Sequence, residues 1–140
     1  MILLALDPDT LTEQQLDRAR DLVPEGTELV VTRDKDEIEA IIDEVEVAAG
    51  WVPRDLLPEA SHLRWFQQWS AGADWLMDHP RAVEMDFVLT NVSGIHSVQA
   101  SEHILALLLA FARDLPQAIR AQQRRRWVSY DQHEHLFELA

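Results

Sequence analysis

The sequence predicts an α/β protein: a doubly wound, parallel, five-stranded sheet followed by a long apolar helix. Three observations carry that prediction. Short apolar runs alternate with helix-periodic segments at intervals of roughly 20 residues, the rhythm of strand–helix–strand units. Most of the runs stop at turn-forming residues, such as Asp7-Pro8, Gly50 and Asn91 to Gly94. After Gly94 the alternation ceases, and an almost unbroken apolar block, residues 104–112, takes its place.

Taken in order, residues 1–6 (MILLAL) form a continuous apolar run, as a strand buried on both faces requires. Thr10 with Glu13 has the spacing of a capping box, and Leu16, Ala19 and Val23 then recur at helical intervals up to Pro24. Glu25-Gly26 turns the chain into a Val-rich second strand over 27–32. Asp34 with Glu37 repeats the cap spacing ahead of a helix striped by Ile38, Ile41 and Ile42. A third strand over 45–49 ends at Gly50, and Pro53 opens a helical turn through 57. The fourth strand covers 65–69, a short helix 73–78, and the fifth strand 87–90. Strands of this number and spacing fit a small flavodoxin-like sheet. Beyond it, a helix is expected over 97–113. Pro116 kinks or restarts it, and a polar, basic helix follows over 117–126. The remaining tail has one weak helical patch around Leu136.

Composition narrows the function. The 140 residues amount to one ordinary domain, and 47% apolar content is enough for a core. The net charge of −13 repels nucleic acid and anionic membranes, so neither is an expected partner. There is no cysteine, which rules out a disulfide scaffold and fits a cytoplasmic location. The apolar N-terminus has no basic segment before it, unlike a signal peptide, and no apolar run approaches the ~20 residues of a membrane span.

The stretch RWFQQWSAGADWL, residues 64–76, passes from a strand to a helix through Ser70-Ala71-Gly72. In an open parallel sheet, ligands bind beyond the carboxyl ends of the strands. A small-residue turn there lets a ligand approach the backbone, and N–H groups at a helix start suit an anion such as a carboxylate. The competing reading is that Gly72 merely permits a tight turn.

Leu63-Arg64-Trp65-Phe66-Gln67, Ser70-Ala71-Gly72-Ala73-Asp74, Thr90-Asn91, Ser93-Gly94-Ile95, Glu102-His103 followed by residues 104–109 (ILALLL), Arg113-Asp114-Leu115-Pro116 and Trp127 occur in that order. With this order and spacing, the chain resembles the N-terminal part of the NAD(P)-dependent D-isomer-specific 2-hydroxyacid dehydrogenases over about 56–127, with the glyoxylate/hydroxypyruvate reductases nearest in appearance. The resemblance implies a substrate-binding domain over 1–96, with an interdomain and dimerisation segment over 97–140. It implies a small 2-keto or 2-hydroxy acid as substrate and NAD or NADP as cofactor. Ser70, Ala71 and Gly72 would hold the substrate carboxylate. Trp51, after the third strand, would form a pocket wall, and Ala100 would approach the nicotinamide. It also implies a homodimer through helix 97–115, with Arg120 and Arg124 near its rim.

Several family features have no counterpart here. The four glycines, Gly26, Gly50, Gly72 and Gly94, are scattered, so there is no G-x-G-x-x-G loop. No arginine, acid or histidine of the chain matches the family's proton-transfer residues, so no catalytic residue is assigned. The expectation is an N-terminal portion of a longer enzyme, inactive by itself. The alternative is a stand-alone flavodoxin-like binding or dimerisation module. A phosphoacceptor receiver fails, because Ala49-Gly50 and Thr90-Asn91 stand where it needs an aspartate and a lysine. A flavin module fails because the acids of Asp7-Pro8-Asp9-Thr10 would repel phosphate. His133 and His135, two apart, do not make a metal site. His103 reads as a core or interface residue, and His96 lies near the mouth of the expected pocket.

Overall fold

The computed structural model describes residues 1–127, 129 and 136–138. It falls into two compact units, Met1–Ser93 and Gly94–Ala140.

The first unit carries five strands, β1 (Ile2–Ala5), β2 (Leu29–Val31), β3 (Val47–Gly50), β4 (Trp65–Gln68) and β5 (Val88–Thr90). Every neighbouring pair is parallel, and the order is β2-β1-β3-β4-β5. The sheet order reverses between β1 and β3, which puts the topological switch point beside Gly50 and Trp51. Register aligns Leu3 with Ala48, Phe66 and Leu89 in one row, and Ala5 with Gly50 and Gln68 in the next. Both rows share a face, because strand side chains alternate.

That face holds the core. Leu3, Ala48 and Phe66 are fully buried, with Ile38, Ile42, Leu56, Leu57, Leu63 and Ala82 in the same cluster. The opposite face is thinly covered: Trp65 is 44% exposed and Val88 61%. α1 (Glu13–Leu22), which a right-handed crossover places on that side, buries no residue. Its stripe residues Leu16 and Ala19 are only half-buried.

Local chemistry shifts several boundaries from those expected. The capping box forms at Thr12 and Gln15, not at Thr10 and Glu13. Asp7 accepts from Asp9 N–H and Thr10 donates to the Asp7 carbonyl, which folds Pro8–Thr10 into a 3-10 turn and delays the helix. Asp34 does cap α2 (Lys35–Ile41), accepting from Asp36 and Glu37 N–H. The Glu37 carboxylate does not reciprocate; it accepts from Thr32 Oγ1 at 2.6 Å. The helical turn expected over 53–57 gives way to a 3-10 turn at Leu57–Glu59, and the short helix expected over 73–78 is a 3-10 helix at Asp74–Asp78. A one-turn helix, α3 (Pro80–Val83), adds to the expected elements.

In the second unit, α4 (Ser97–Ala112) ends at Arg113, and Asp114 takes a left-handed conformation at φ 47°. α5 (Leu115–Gln123) then starts with Pro116 in its first turn, where the missing N–H costs nothing. The expected helix 97–115 is therefore broken at 113–114, and the basic helix begins two residues earlier than expected. Ile104, Leu105, Leu107, Leu108, Leu109 and Phe111 are each 46–66% exposed. Among the described residues, no helix is long and apolar enough to cross a membrane.

Candidate functional site

Because all five strands run the same way, the segments after them emerge at one edge of the sheet. Trp51 comes after β3, Ser70-Ala71-Gly72 after β4, and Asn91 after β5. Trp51 is 48% exposed, and its N–H donates to the Ala5 carbonyl at 2.9 Å. The main chain is thus pinned to β1 while the indole stays outside the core.

The turn after β4 is held by its carbonyls. The Gln68 Nε2 donates to the carbonyl oxygens of Gly72 (2.6 Å) and Ser70 (3.1 Å). Asn91 Nδ2 donates to the Ala71 carbonyl at 2.9 Å. Ser70 Oγ and Val92 N–H add longer contacts, to Gly72 O and Ser70 O. A trans peptide points its N–H opposite its C=O. The N–H groups of Ala71 and Ala73 therefore point away from Gln68, and that of Gly72 away from Asn91. None of the three donates a hydrogen bond among the described residues. The turn leads into a five-residue 3-10 helix, too short for the dipole expected behind it. The anion-binding case thus rests on the oriented N–H groups. Gly72 has no positive φ, and a Cβ there would meet the Asp74 carboxylate at 2.5 Å. Only the exposed Asp74 side chain opposes a Cβ there, and it can swing aside, so the local structure does not demand glycine at this position.

Gln68 is itself fully buried. Its Oε1 accepts from Trp75 Nε1 at 2.7 Å and, more distantly, from Arg54 Nη2 at 3.4 Å. This settles the amide orientation, since the oxygen faces two donors and the nitrogen two acceptors. The Arg54 guanidinium lies over the rings of Trp75 (4.3 Å) and Phe66 (4.7 Å). Burial lowers its pKa from the usual arginine value, and its Nη1 has no hydrogen-bond partner among the described residues. The pattern of the strand could have revealed Gln68, a polar residue in phase with inward-facing Phe66. Arg54 gave no such signal.

A second relay runs along the outer face. Trp65 Nε1 donates to Thr90 Oγ1 (2.7 Å), Thr90 donates to Gln67 Oε1 (2.6 Å), and Gln67 Nε2 donates to the Gln68 carbonyl (2.9 Å). It ties β5 to β4 just below the turn.

The remaining candidates belong to other elements. Ala100 is exposed in the first turn of α4, in the second unit. His103 is exposed on the same helix, so the reading of it as a core residue is corrected. His96 is the exposed residue before α4. His133 and His135 lie outside the described residues. Among the described residues, no group of three His, Cys, Asp or Glu could hold a metal. Ser61, His62 and Asp43 do cluster, but at the opposite edge, ahead of β3 and β4. Ser61 Oγ donates to the Asp43 carboxylate, and His62 Nδ1 lies 2.6 Å from the Asp43 carbonyl oxygen. A histidine nitrogen donating to a carbonyl cannot take the serine proton, so the group locks a turn.

No family model and no curated protein matches the sequence. Solved structures do. A D-isomer specific 2-hydroxyacid dehydrogenase family protein from Aeromonas salmonicida subsp. salmonicida A449 is 30% identical, with a TM-score of 0.68 over 92% of this chain and 41% of that one. A D-isomer specific 2-hydroxyacid dehydrogenase from Xanthobacter autotrophicus Py2, in complex with NADPH and MES, is 22% identical, with a TM-score of 0.59 over 92% and 42%. The NAD-dependent formate dehydrogenase of Staphylococcus aureus, in complex with NAD, is 18% identical, with a TM-score of 0.57 over 99% and 45%. The latter two share the fold. The chain spans less than half the length of each of these proteins. With the ordered motifs of residues 63–127 and the parallel sheet that presents them, the chain belongs to the D-isomer specific 2-hydroxyacid dehydrogenase family and carries an N-terminal portion of it.

Proposed function

We propose that this chain is the substrate-binding part of a cytoplasmic oxidoreductase that transfers a hydride between NAD(P)H and a small 2-keto acid of the glyoxylate or hydroxypyruvate kind. The observation that carries the reading is the turn Ser70-Ala71-Gly72, whose Ser70 and Gly72 carbonyls are tied to the buried Gln68 and whose following N–H groups, on Ala71 and Ala73, donate no hydrogen bond among the described residues. Two such N–H groups match the two oxygens of a carboxylate. Trp51 walls the pocket beside the switch point, and Ala100 approaches the nicotinamide. Residues 1–96 bind substrate, and 97–140 serve interdomain packing and dimerisation.

The nicotinamide cofactor is not held by the residues present. The four glycines are far apart, with Gly50 ending β3 and the others in separate connections, and no G-x-G-x-x-G phosphate loop joins a strand to a helix. No step through the dinucleotide is therefore derived from this chain, whose share of the work is binding and orientation.

Two results test the reading. Glyoxylate titrated into the chain should shift the backbone amide signals of residues 71–73, with a dissociation constant in the millimolar range. The same chain mixed with glyoxylate and NADH or NADPH should show no turnover above background. Unmoved amides would remove the carboxylate role, and turnover would remove the assignment of the chemistry elsewhere.

The exposed apolar side chains of α4 support a homodimer. Burying one such side chain contributes roughly 1.5–3 kcal/mol. Several together outweigh an association cost of about 4–15 kcal/mol. Light scattering at micromolar concentration should return twice the 16.1 kDa chain mass. A monomer mass with α4 still helical would refute the interface.

A further inference from the structure

We propose that Gln68 is a positioning residue for the carboxylate-binding turn, setting the direction of the Ala71 and Ala73 N–H groups by holding the carbonyls to which they are joined. The inference rests on the reading of that turn as the carboxylate site. Three features of the geometry support it. First, one buried amide spans the turn. A single NH2 group serves both Ser70 O and Gly72 O, so neither peptide unit can rotate without losing a bond inside the core. Second, the other end of the amide is fixed. Trp75 Nε1 donates to its oxygen, and the Arg54 cation stands behind it between two rings. A cation at the oxygen end polarises the amide and strengthens its N–H donors, and these in turn polarise the two peptide units they bind. Their N–H groups become better donors toward an anion. Third, the peptide between them is held separately: Ala71 O, and hence Gly72 N–H, answers to Asn91 on the exposed side.

This division of labour makes a pattern that a general loss of structure would not produce. Gln68→Glu keeps the acceptor for Trp75 and Arg54 but removes the donor to both carbonyls. Gln68→Leu removes both functions. In amide spectra of the ligand-free chain, each should shift the Ala71 and Ala73 signals and leave Gly72 nearly in place. Asn91→Ala should do the reverse. Trp75→Phe keeps an aromatic ring beside Arg54 but removes the Nε1–H together with the pyrrole half of the indole, and should move Ala71 and Ala73 in the same direction as Gln68→Leu by a smaller amount. With glyoxylate as probe, both Gln68 variants should bind about tenfold more weakly than the parent chain, the loss of one charge-assisted hydrogen bond.

The outcomes separate the two ideas. If the parent turn does not respond to glyoxylate, the carboxylate reading fails, while the ligand-free shifts still judge the orienting role. If the parent responds and the Gln68 variants respond with equal affinity and unmoved Ala71 and Ala73 signals, the positioning role is overturned. Should both Gln68 variants fail to fold, Trp75→Phe and Asn91→Ala decide: the selective pattern upholds the proposal, and uniform or absent shifts overturn it.

Discussion

Phe66→Ala should lower the unfolding free energy of the chain by about 3–5 kcal/mol, against the 5–15 kcal/mol typical of a whole domain. Phe66 has no exposed surface and sits mid-strand in β4, in the row with Leu3 and Ala48. Its removal opens a cavity in the buried cluster that also holds Leu57 and Leu63. It also takes away an edge contact with Trp75, whose ring centroid is 6.5 Å distant, and one of the two faces that cover Arg54. The guanidinium would then keep a buried, unpaired Nη1 with less compensation. Phe66→Leu preserves most of the volume and should cost less than about 1.5 kcal/mol. Denaturant melts of the two variants measure the difference. Equal losses would mean that the cluster around β4 is looser than its burial implies.

The same strand shows what the sequence could and could not tell. The order of strands and helices was legible because apolar runs and helical stripes are local signals, and each strand overlaps its predicted segment, with ends within two residues of those expected. Boundaries were less legible where two residues competed for one task. Thr10 and Thr12 are both cap residues, and the Asp7-Pro8 turn decided for Thr12. Residues 74–78 have helical composition but come directly after a turn fastened by Gln68 and wind as a 3-10 helix. The Ser70-Ala71-Gly72 turn was visible as small residues at a strand end. Its fastening was not, because Arg54, Gln68, Trp75 and Asn91 are distant in sequence and meet only across the folded edge. Nor does a tight turn explain Gly72: the space beside it holds only the Asp74 side chain.

Gly50→Val should be the most damaging single change at the ligand edge, costing roughly 2–6 kcal/mol. Two independent penalties coincide there. The residue adopts φ +101°, a conformation that side-chain-bearing residues rarely adopt. A Cβ would also stand 2.6 Å from the backbone oxygen of Ala5, which no rotamer change can relieve because the obstacle is the neighbouring strand itself. That oxygen already accepts the Trp51 N–H at 2.9 Å, so pushing β3 away from β1 would loosen the start of the Trp51 loop as well. Gly50→Ala carries the backbone strain and the first carbon of the clash, so it should fall between the parent and Gly50→Val. Gly26→Ala is the control. Gly26 also has positive φ, at +81°, but a Cβ there meets nothing within 4 Å, so only the strain of about 1–3 kcal/mol applies. Thermal melts of the three variants should rank Gly50→Val below Gly50→Ala, and Gly50→Ala below Gly26→Ala. If Gly50→Ala matched Gly26→Ala, the close approach of β1 and β3 at the switch point would not be what demands glycine. The Trp51 loop would then be free of the strand that now pins it.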